Sequence, residues 1–200
     1  MTRLVMIRHA TTGWNEKRRL QGHSDIALSA KGRAEVAGWR LPDAYTDGQW
    51  ITSPLLRAVQ TARALGANRF TCEPRLVEMD WGEWEGRTLD EMRLNDPEHM
   101  TEVEARGLDF SAPGGESPRQ LQARLAPWLC AVAAAGKPVN AVCHKGVVRA
   151  LFARAVNWNM LGRPPVKLDW SCAQIFDLDG NGNPTLTESN VSLQPKAASP

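Results

Sequence analysis

Two short stretches of this chain place reactive side chains directly after an apolar run. The first is Arg8-His9-Ala10-Thr11-Thr12-Gly13-Trp14-Asn15, entered through Arg3-Leu4-Val5-Met6-Ile7. The second is Cys143-His144-Lys145-Gly146, entered through Val139-Asn140-Ala141-Val142. Short apolar runs of this kind, with β-branched residues, read as buried strands. At the carboxyl end of a strand in an open α/β sheet, side chains point into the crevice where such folds bind ligands. There an imidazole can attack an electrophile, and a guanidinium can hold the oxygens of a phosphate or carboxylate. A further arginine, Arg57, falls in the first turn or so of a helical stretch, where backbone N–H groups also favour anions.

Chemistry on a phosphomonoester needs a nucleophile, cations on the non-bridging oxygens and a proton for the departing alkoxide. His9 can be the nucleophile, with Arg8, Arg57 and His144 around the phosphoryl group. The carboxylic acid must come from elsewhere. The stretch Leu76-Val77-Glu78-Met79-Asp80-Trp81-Gly82-Glu83-Trp84-Glu85-Gly86 offers four candidates, Glu78, Asp80, Glu83 and Glu85.

The elements that would position these groups alternate between strand and helix. After the opening strand, Ser29 is placed to cap a helix running to about Leu41, with Ala34, Val36, Ala37 and Trp39 on or near a core face. Gln49–Thr52 reads as a strand. Ser53-Pro54 has the form of a capping serine with proline in the first helical position, and the helix it opens should end at Gly66. In that helix Leu55, Val59, Ala62 and Leu65 form the expected core stripe. Thr88 with Glu91 makes a capping box. Ser117-Pro118 starts a helix that Pro127 should kink, and Val147–Ala153 resumes as a helix after the second strand. Ser171–Leu178 alternates like a half-buried strand, Asp179–Gly182 is a hairpin-type turn, and Thr185–Glu188 could return as an edge strand. The pattern predicts a three-layer α/β sandwich, a mostly parallel central sheet with helices on both faces. It is read as one domain over residues 3–188, with a small cap excursion at about 78–116 and a flexible tail at 189–200.

Composition narrows the partners. The 200 residues carry a net charge of only +2, with no basic stripe, so no nucleic-acid footprint is expected. No apolar run is long enough to cross a bilayer, and the N-terminal one ends too soon for a signal peptide. Cys72, Cys130, Cys143 and Cys172 lack metal or Cys-x-x-Cys spacing and read as free thiols of a reducing, cytoplasmic compartment. The expected partner is a small phosphorylated substrate. Oligomeric state is not legible. His23 and His99 sit in polar surroundings and read as exposed spectators, and Trp39, Trp50, Trp128 and Trp158 as packing residues.

Taken together, the motifs resemble the histidine phosphatase superfamily, in its phosphoglycerate mutase-like and α-ribazole phosphatase-like branch, over about residues 3–178. Arg8-His9-Ala10 is similar to the family's Arg-His-Gly, which implies that His9 is phosphorylated in the catalytic cycle. Thr12 and Asn15 match the hydroxyl and asparagine that follow, the asparagine being implied to bind phosphate. Ser53 through Ala62 resembles the helix carrying the second arginine, Arg57. Leu76 through Gly86 resembles the acid motif and makes Glu78 the implied proton donor. Cys143-His144-Lys145-Gly146 resembles the second-histidine turn, adding His144, Lys145 and Gly146 to the expected phosphate-binding set. The implied chemistry needs no metal and no cofactor, because Arg8, Arg57 and His144 neutralise the phosphate. Two positions depart from the family pattern. Ala10 stands for the usual glycine, a strain if its φ were positive, and Lys145 stands for a small residue.

Three other functions compete with hydrolysis by His9. Phosphoglycerate mutase-type transfer would want extra cations between Glu78 and His144. Residues 78–109 instead hold eleven acidic side chains against three arginines, and an acidic rim repels a second phosphate. Cys143 through Arg149 fits Cys-x-x-Gly-x-x-Arg, which resembles the loop of cysteine-dependent phosphatases, with Cys143 as thiolate and Arg149 on the phosphate. A catalytically inactive phospho-ligand binding module is expected to lack one of His9, Arg57, Glu78 or His144, and all four are present.

Overall fold

The computed structural model describes residues 1–193. Six strands form one sheet: β1 (Thr2–Arg8), β2 (Gln49–Thr52), β3 (Thr71–Cys72), β4 (Val139–Cys143), β5 (Cys172–Leu178) and β6 (Pro184–Ser192). Their order is β3-β2-β4-β1-β5-β6. The β3–β2, β2–β4 and β4–β1 pairs are parallel, and β1–β5 and β5–β6 are antiparallel. The expected α/β fold with a mostly parallel sheet is what forms.

Alternation along β1 divides the core, as a period of two requires. Leu4 and Met6 face helices α6 (Pro118–Ala135) and α7 (Lys145–Ala155). Val5 and Ile7 face α2 (Ala30–Ala37) and α3 (Leu56–Ala64). β4 is buried at every residue, as befits a strand covered on both faces. Between β3 and α6 the chain leaves the sheet. There α4 (Leu89–Asn95) and α5 (Pro97–Glu104) enclose a small cluster of Trp84, Met92, Met100, Val103 and Ala112.

Several local expectations are corrected. The helix capped by Ser29 ends at Ala37, with Gly38 as its C-cap. Ala34 and Ala37 are exposed, whereas Val36 and Trp39 are buried. Ser53 does not cap α3. The helix begins at Leu56 after Leu55, which makes no side-chain cap bond. Its buried face is Arg57, Ala58, Thr61 and Ala62; of the expected stripe Ala62 is buried and Leu65 packs against the same core, whereas Leu55 and Val59 are only partly covered. The polar pair turns inward because it serves the site described below. The edge strand β6 runs past Glu188 to Ser192, and Leu193 is buried against the α2 and α3 side. Its carbonyl accepts from the Arg40 N–H. The segment expected to fray from 189 is therefore structured to 193, and 194–200 lie outside the described residues.

Phe176 on β5 is wholly buried beneath α6 and α7. Phe176→Ala should lower unfolding free energy by about 3–5 kcal/mol through lost burial and an unfilled cavity, read from the urea midpoint.

Candidate active site

Parallel pairing of β1 and β4 sets Arg8 opposite Cys143, so both strands end at one level. His9 and His144 leave those ends side by side, with ring centroids 5.2 Å apart. The His9 N–H donates to the Cys143 carbonyl at 2.9 Å, which extends the ladder by one step. Both histidines are buried.

The surroundings fix the protons on each ring. His9 Nδ1 lies 2.7 Å from the Ala10 carbonyl. A carbonyl only accepts, so Nδ1 carries the proton and Nε2 keeps its lone pair. Burial, with Arg8 and Arg57 nearby, pushes the His9 pKa well below the ordinary imidazole value. A neutral ring with a bare Nε2 is a nucleophile. His144 has the other tautomer. Arg57 Nε donates to its Nδ1 at 3.2 Å, so Nε2 holds the proton and donates to Ser53 Oγ at 2.7 Å. Burial, then Arg57 and His9, likewise depress its pKa. An incoming oxygen would have to displace Ser53 Oγ to accept from this Nε2–H.

Arg57 is fully buried, an expensive place for a guanidinium. Two backbone carbonyls offset the cost: Nη1 donates to Ser24 O and Nη2 to Gly22 O, each at 2.8 Å. Glu85 in turn holds that loop. Its carboxylate accepts from His23 N at 2.5 Å, Ser24 N at 3.0 Å and Ser24 Oγ at 2.6 Å. Gly22 has φ +49°, and a Cβ there would come within 1.8 Å of Glu85 Oε1. Glycine is required at this step. Arg8 is different: its Nε is buried with no hydrogen-bond partner among the described residues. A buried, unpaired guanidinium N–H on a residue that lines one cavity with His9 is suited to an anion's oxygen. Burial lowers the pKa of both arginines, and Glu78 opposes the effect in each.

Glu78 is buried, its carboxylate accepting from Met79 N at 2.8 Å and Gly146 N at 3.1 Å. Its rivals are occupied or outside. Glu85 is the loop clamp, Asp80 accepts from Gly82 N at 2.8 Å, and Glu83 is exposed. The Gly146 N–H, expected on phosphate, is therefore engaged by Glu78. Thr12 caps the short helix α1 (Gly13–Glu16) in a reciprocal box with Asn15, and its hydroxyl donates to Gln21 Oε1 at 2.9 Å. The side-chain oxygen of Asn15 thus serves the box. Lys145 begins α7, exposed, with Nζ 5.4 Å from the Trp170 ring centre. Ala10 does not have positive φ, so its methyl is unstrained. Its N–H donates to Thr61 Oγ1 at 3.0 Å.

Cys143 does not form a phosphate loop. The thiol is fully buried in β4, and burial pushes its pKa up, against thiolate formation. Arg149 instead stacks on Trp158, 5.2 Å from the ring centre. His23, expected to be a spectator, is exposed but reaches Glu78 O with Nε2 at 3.0 Å. Ser53 and Thr61 were not singled out for the site from the sequence, and Glu85 was named only as a rival to Glu78 as the acid. The signals were a serine-proline pair that reads equally well as a helix cap, one glutamate among several, and a threonine on a helix face assumed apolar.

The arrangement gathers two buried imidazoles, the guanidinium groups of Arg8 and Arg57 and the Glu78 carboxyl group at the strand ends of an α/β sheet. The chain belongs to the histidine phosphatase superfamily (branch 1), whose sequence profile matches residues 4–191. It is 33% identical over 191 residues to a 2,3-bisphosphoglycerate-dependent phosphoglycerate mutase of Beijerinckia indica, covering 89% of this chain and 92% of that protein. It is 32% identical over 184 residues to a glucosyl-3-phosphoglycerate phosphatase of Mycobacterium tuberculosis, covering 80% of each. The solved structure of Bacillus stearothermophilus YhfR superposes with a TM-score of 0.81 at 28% identity, covering 96% of this chain and 98% of that one. Its relatives thus include both phosphatases and mutases.

Two buried neutral histidines carry a pH signature. Each has a folded pKa depressed below the unfolded value of about 6.5, so the unfolded chain takes up protons first as pH falls. Stability should decline below about pH 6.5, the pair contributing a slope of up to about 2.7 kcal/mol per pH unit. Urea unfolding across pH 5–7 reads this slope, and His9→Ala should reduce it by about half.

Proposed function

We propose that the protein is a phosphomonoesterase that hydrolyses a small phosphorylated metabolite through a phosphohistidine on His9. The observation that carries this reading is the His9 ring: buried, neutral and proton-locked at Nδ1 by the Ala10 carbonyl, in a cavity it lines together with Arg8, whose Nε is unpaired among the described residues. In the first step His9 Nε2 forms a bond to phosphorus as the bond to the alcohol oxygen breaks, and Glu78 gives that oxygen its proton. Arg8, Arg57 and His144 Nε2–H hold the equatorial oxygens. In the second step water attacks phosphorus, the P–N bond breaks back to His9, and Glu78 takes a proton from the water. The displaced Ser53 hydroxyl can follow His144 as a hydrogen-bond partner.

Hydrolysis is favoured over transfer by the acidic cap. Of its three arginines, Arg93 is already paired with Glu104 at 2.6 Å. The phosphatase and mutase relatives bracket the two outcomes.

The test is phosphate release from a panel of phosphomonoesters by wild type, His9→Ala and Cys143→Ser, with a bisphosphoglycerate-primed mutase assay alongside. Release that falls roughly 10³-fold or more in His9→Ala and persists in Cys143→Ser supports the reading. So does a phosphoryl group found on His9 by mass spectrometry at alkaline pH. Release that survives His9→Ala overturns it, and isomerisation of phosphoglycerate without release makes the protein a mutase. A second variant probes the acid. A Cβ on residue 146 would sit 2.3 Å from Glu78 Oε1, so Gly146→Ala must displace that carboxylate. A misplacement of that size should cost kcat about 10²-fold, with phosphate binding retained by calorimetry.

A further inference from the structure

His23 sits where two halves of the site meet. Its neighbours Gly22 and Ser24 present the carbonyls that hold the Arg57 guanidinium, and its own backbone N–H ends on Glu85. The imidazole reaches the opposite way, to the segment carrying Glu78, with Nε2 3.0 Å from the Glu78 carbonyl oxygen. A carbonyl only accepts, so Nε2 carries a proton and donates. That oxygen belongs to the peptide unit between Glu78 and Met79, which is planar and turns as one piece. The N–H at the far end of the same unit is the Met79 donor, 2.8 Å from Glu78 Oε1. The imidazole therefore grips one end of a rigid unit whose other end holds the carboxylate.

Other groups leave this grip to His23. Arg124 Nη2 lies 3.4 Å from the same carbonyl oxygen, while its shorter bonds go to Val77 O at 3.1 Å and Glu116 Oε2 at 2.7 Å. The remaining anchor of the carboxylate, the Gly146 N–H, belongs to α7 and does not constrain the 78–79 peptide. On the other side of the His23 ring, Nδ1 is 3.9 Å from Asp80 Oδ2. The side chain is 50% exposed, so replacing it leaves the core packing intact.

We propose that His23 is a positioning residue for Glu78: its Nε2–H sets the Glu78–Met79 peptide and so aims the carboxyl group that passes a proton to the leaving oxygen. This rests on the phosphomonoesterase reading above. His23 does not touch the reacting atoms in this arrangement. Its effect should follow the leaving group's need for a proton. An alkoxide is strongly basic and departs as it is protonated, whereas a dinitrophenolate is stable as an anion and needs no acid. The phosphoryl oxygens offered to Arg8 and Arg57 are the same in both kinds of ester. A role confined to the Arg57 loop would therefore cost both alike.

The test measures kcat/KM, which covers the steps up to departure of the alcohol, for glycerol 1-phosphate and 2,4-dinitrophenyl phosphate. The enzymes are wild type, His23→Phe, His23→Gln and, as a reference, Glu78→Gln. His23→Phe should lose about tenfold on glycerol 1-phosphate, the worth of one hydrogen bond, and less than about twofold on the dinitrophenyl ester. His23→Gln, whose amide N–H can donate to the same carbonyl, should recover most of the loss. An equal loss on both esters would confine His23 to the Arg57 loop and overturn the proposal. So would an unchanged rate on glycerol 1-phosphate in His23→Phe, or a glutamine variant as poor as the phenylalanine one. Glu78→Gln separates the two levels of inference. If it loses activity on glycerol 1-phosphate alone while His23→Phe loses none, only the role of His23 fails. If it treats the two esters alike, Glu78 is not the proton donor and both readings lose their acid. If wild type spares glycerol 1-phosphate, or cleavage survives His9→Ala, the hydrolase reading fails as well.

Discussion

The pairing of two adjacent parallel strands in one register is the constraint on which the site depends. With Arg8 opposite Cys143, the residues that follow are forced out of the sheet at the same height and into the same crevice. The bond from His9 N to Cys143 O ties the backbone of His9 to the neighbouring strand. The core beneath both strand ends is fully buried, so a shift of either strand would have to repack two layers. The relative placement of the two imidazoles is therefore a property of the sheet rather than of flexible loops.

Around that fixed pair the charges form a chain of mutual support. Arg57 can be buried because Gly22 and Ser24 present carbonyls to it, and those carbonyls are aimed by a loop whose N–H groups end on Glu85. The acid motif thus supplies two carboxylates with separate duties. Glu78 accepts from Met79 and Gly146 N–H groups beside the histidines, while Glu85 orders the loop that holds the Arg57 guanidinium. Arg124 ties the same motif from behind, donating to the Val77 and Arg75 carbonyls and pairing with Glu116 at 2.7 Å. Satisfied networks of this kind hold reacting groups where they are needed before substrate arrives.

Much of this was legible in the sequence because its signals are local. Apolar runs ending in Arg-His and Cys-His announce strand ends, and the strand and helix alternation gives the layered sheet. The misreadings share a cause, since each turned on which way a side chain points. Ser53-Pro54 looks like a helix cap, yet Ser53 meets His144, a partner 91 residues away. The α3 stripe was assigned to leucine and valine because hydrophobicity ordinarily decides burial, whereas here Arg57 and Thr61 are drawn inward by polar partners. Gly146 resembled a phosphate ligand, but its N–H is committed to Glu78 across the fold. Cys143 fitted a phosphate-loop spacing that takes no account of depth, and burial decides against it. Long-range hydrogen bonds leave no period in a sequence.

One feature of the sheet separates what the protein does from what it does it to. On one flank of the site the wall comes from loops leaving parallel strands, and these carry the reacting groups. On the other flank β5 runs antiparallel, so its entering end, with Trp170 and Ser171 just before it, arrives beside the exit of β1. The irregular stretch feeding β5, from Asn157 onward, contributes no member of the catalytic set. Insertions or exchanges there would recontour the cavity that Arg8 and His9 line while the strand register below keeps the imidazoles and guanidiniums where they are. Selectivity and reactivity can therefore drift independently in this architecture, which makes it a scaffold on which new substrates can be acquired without relearning the reaction.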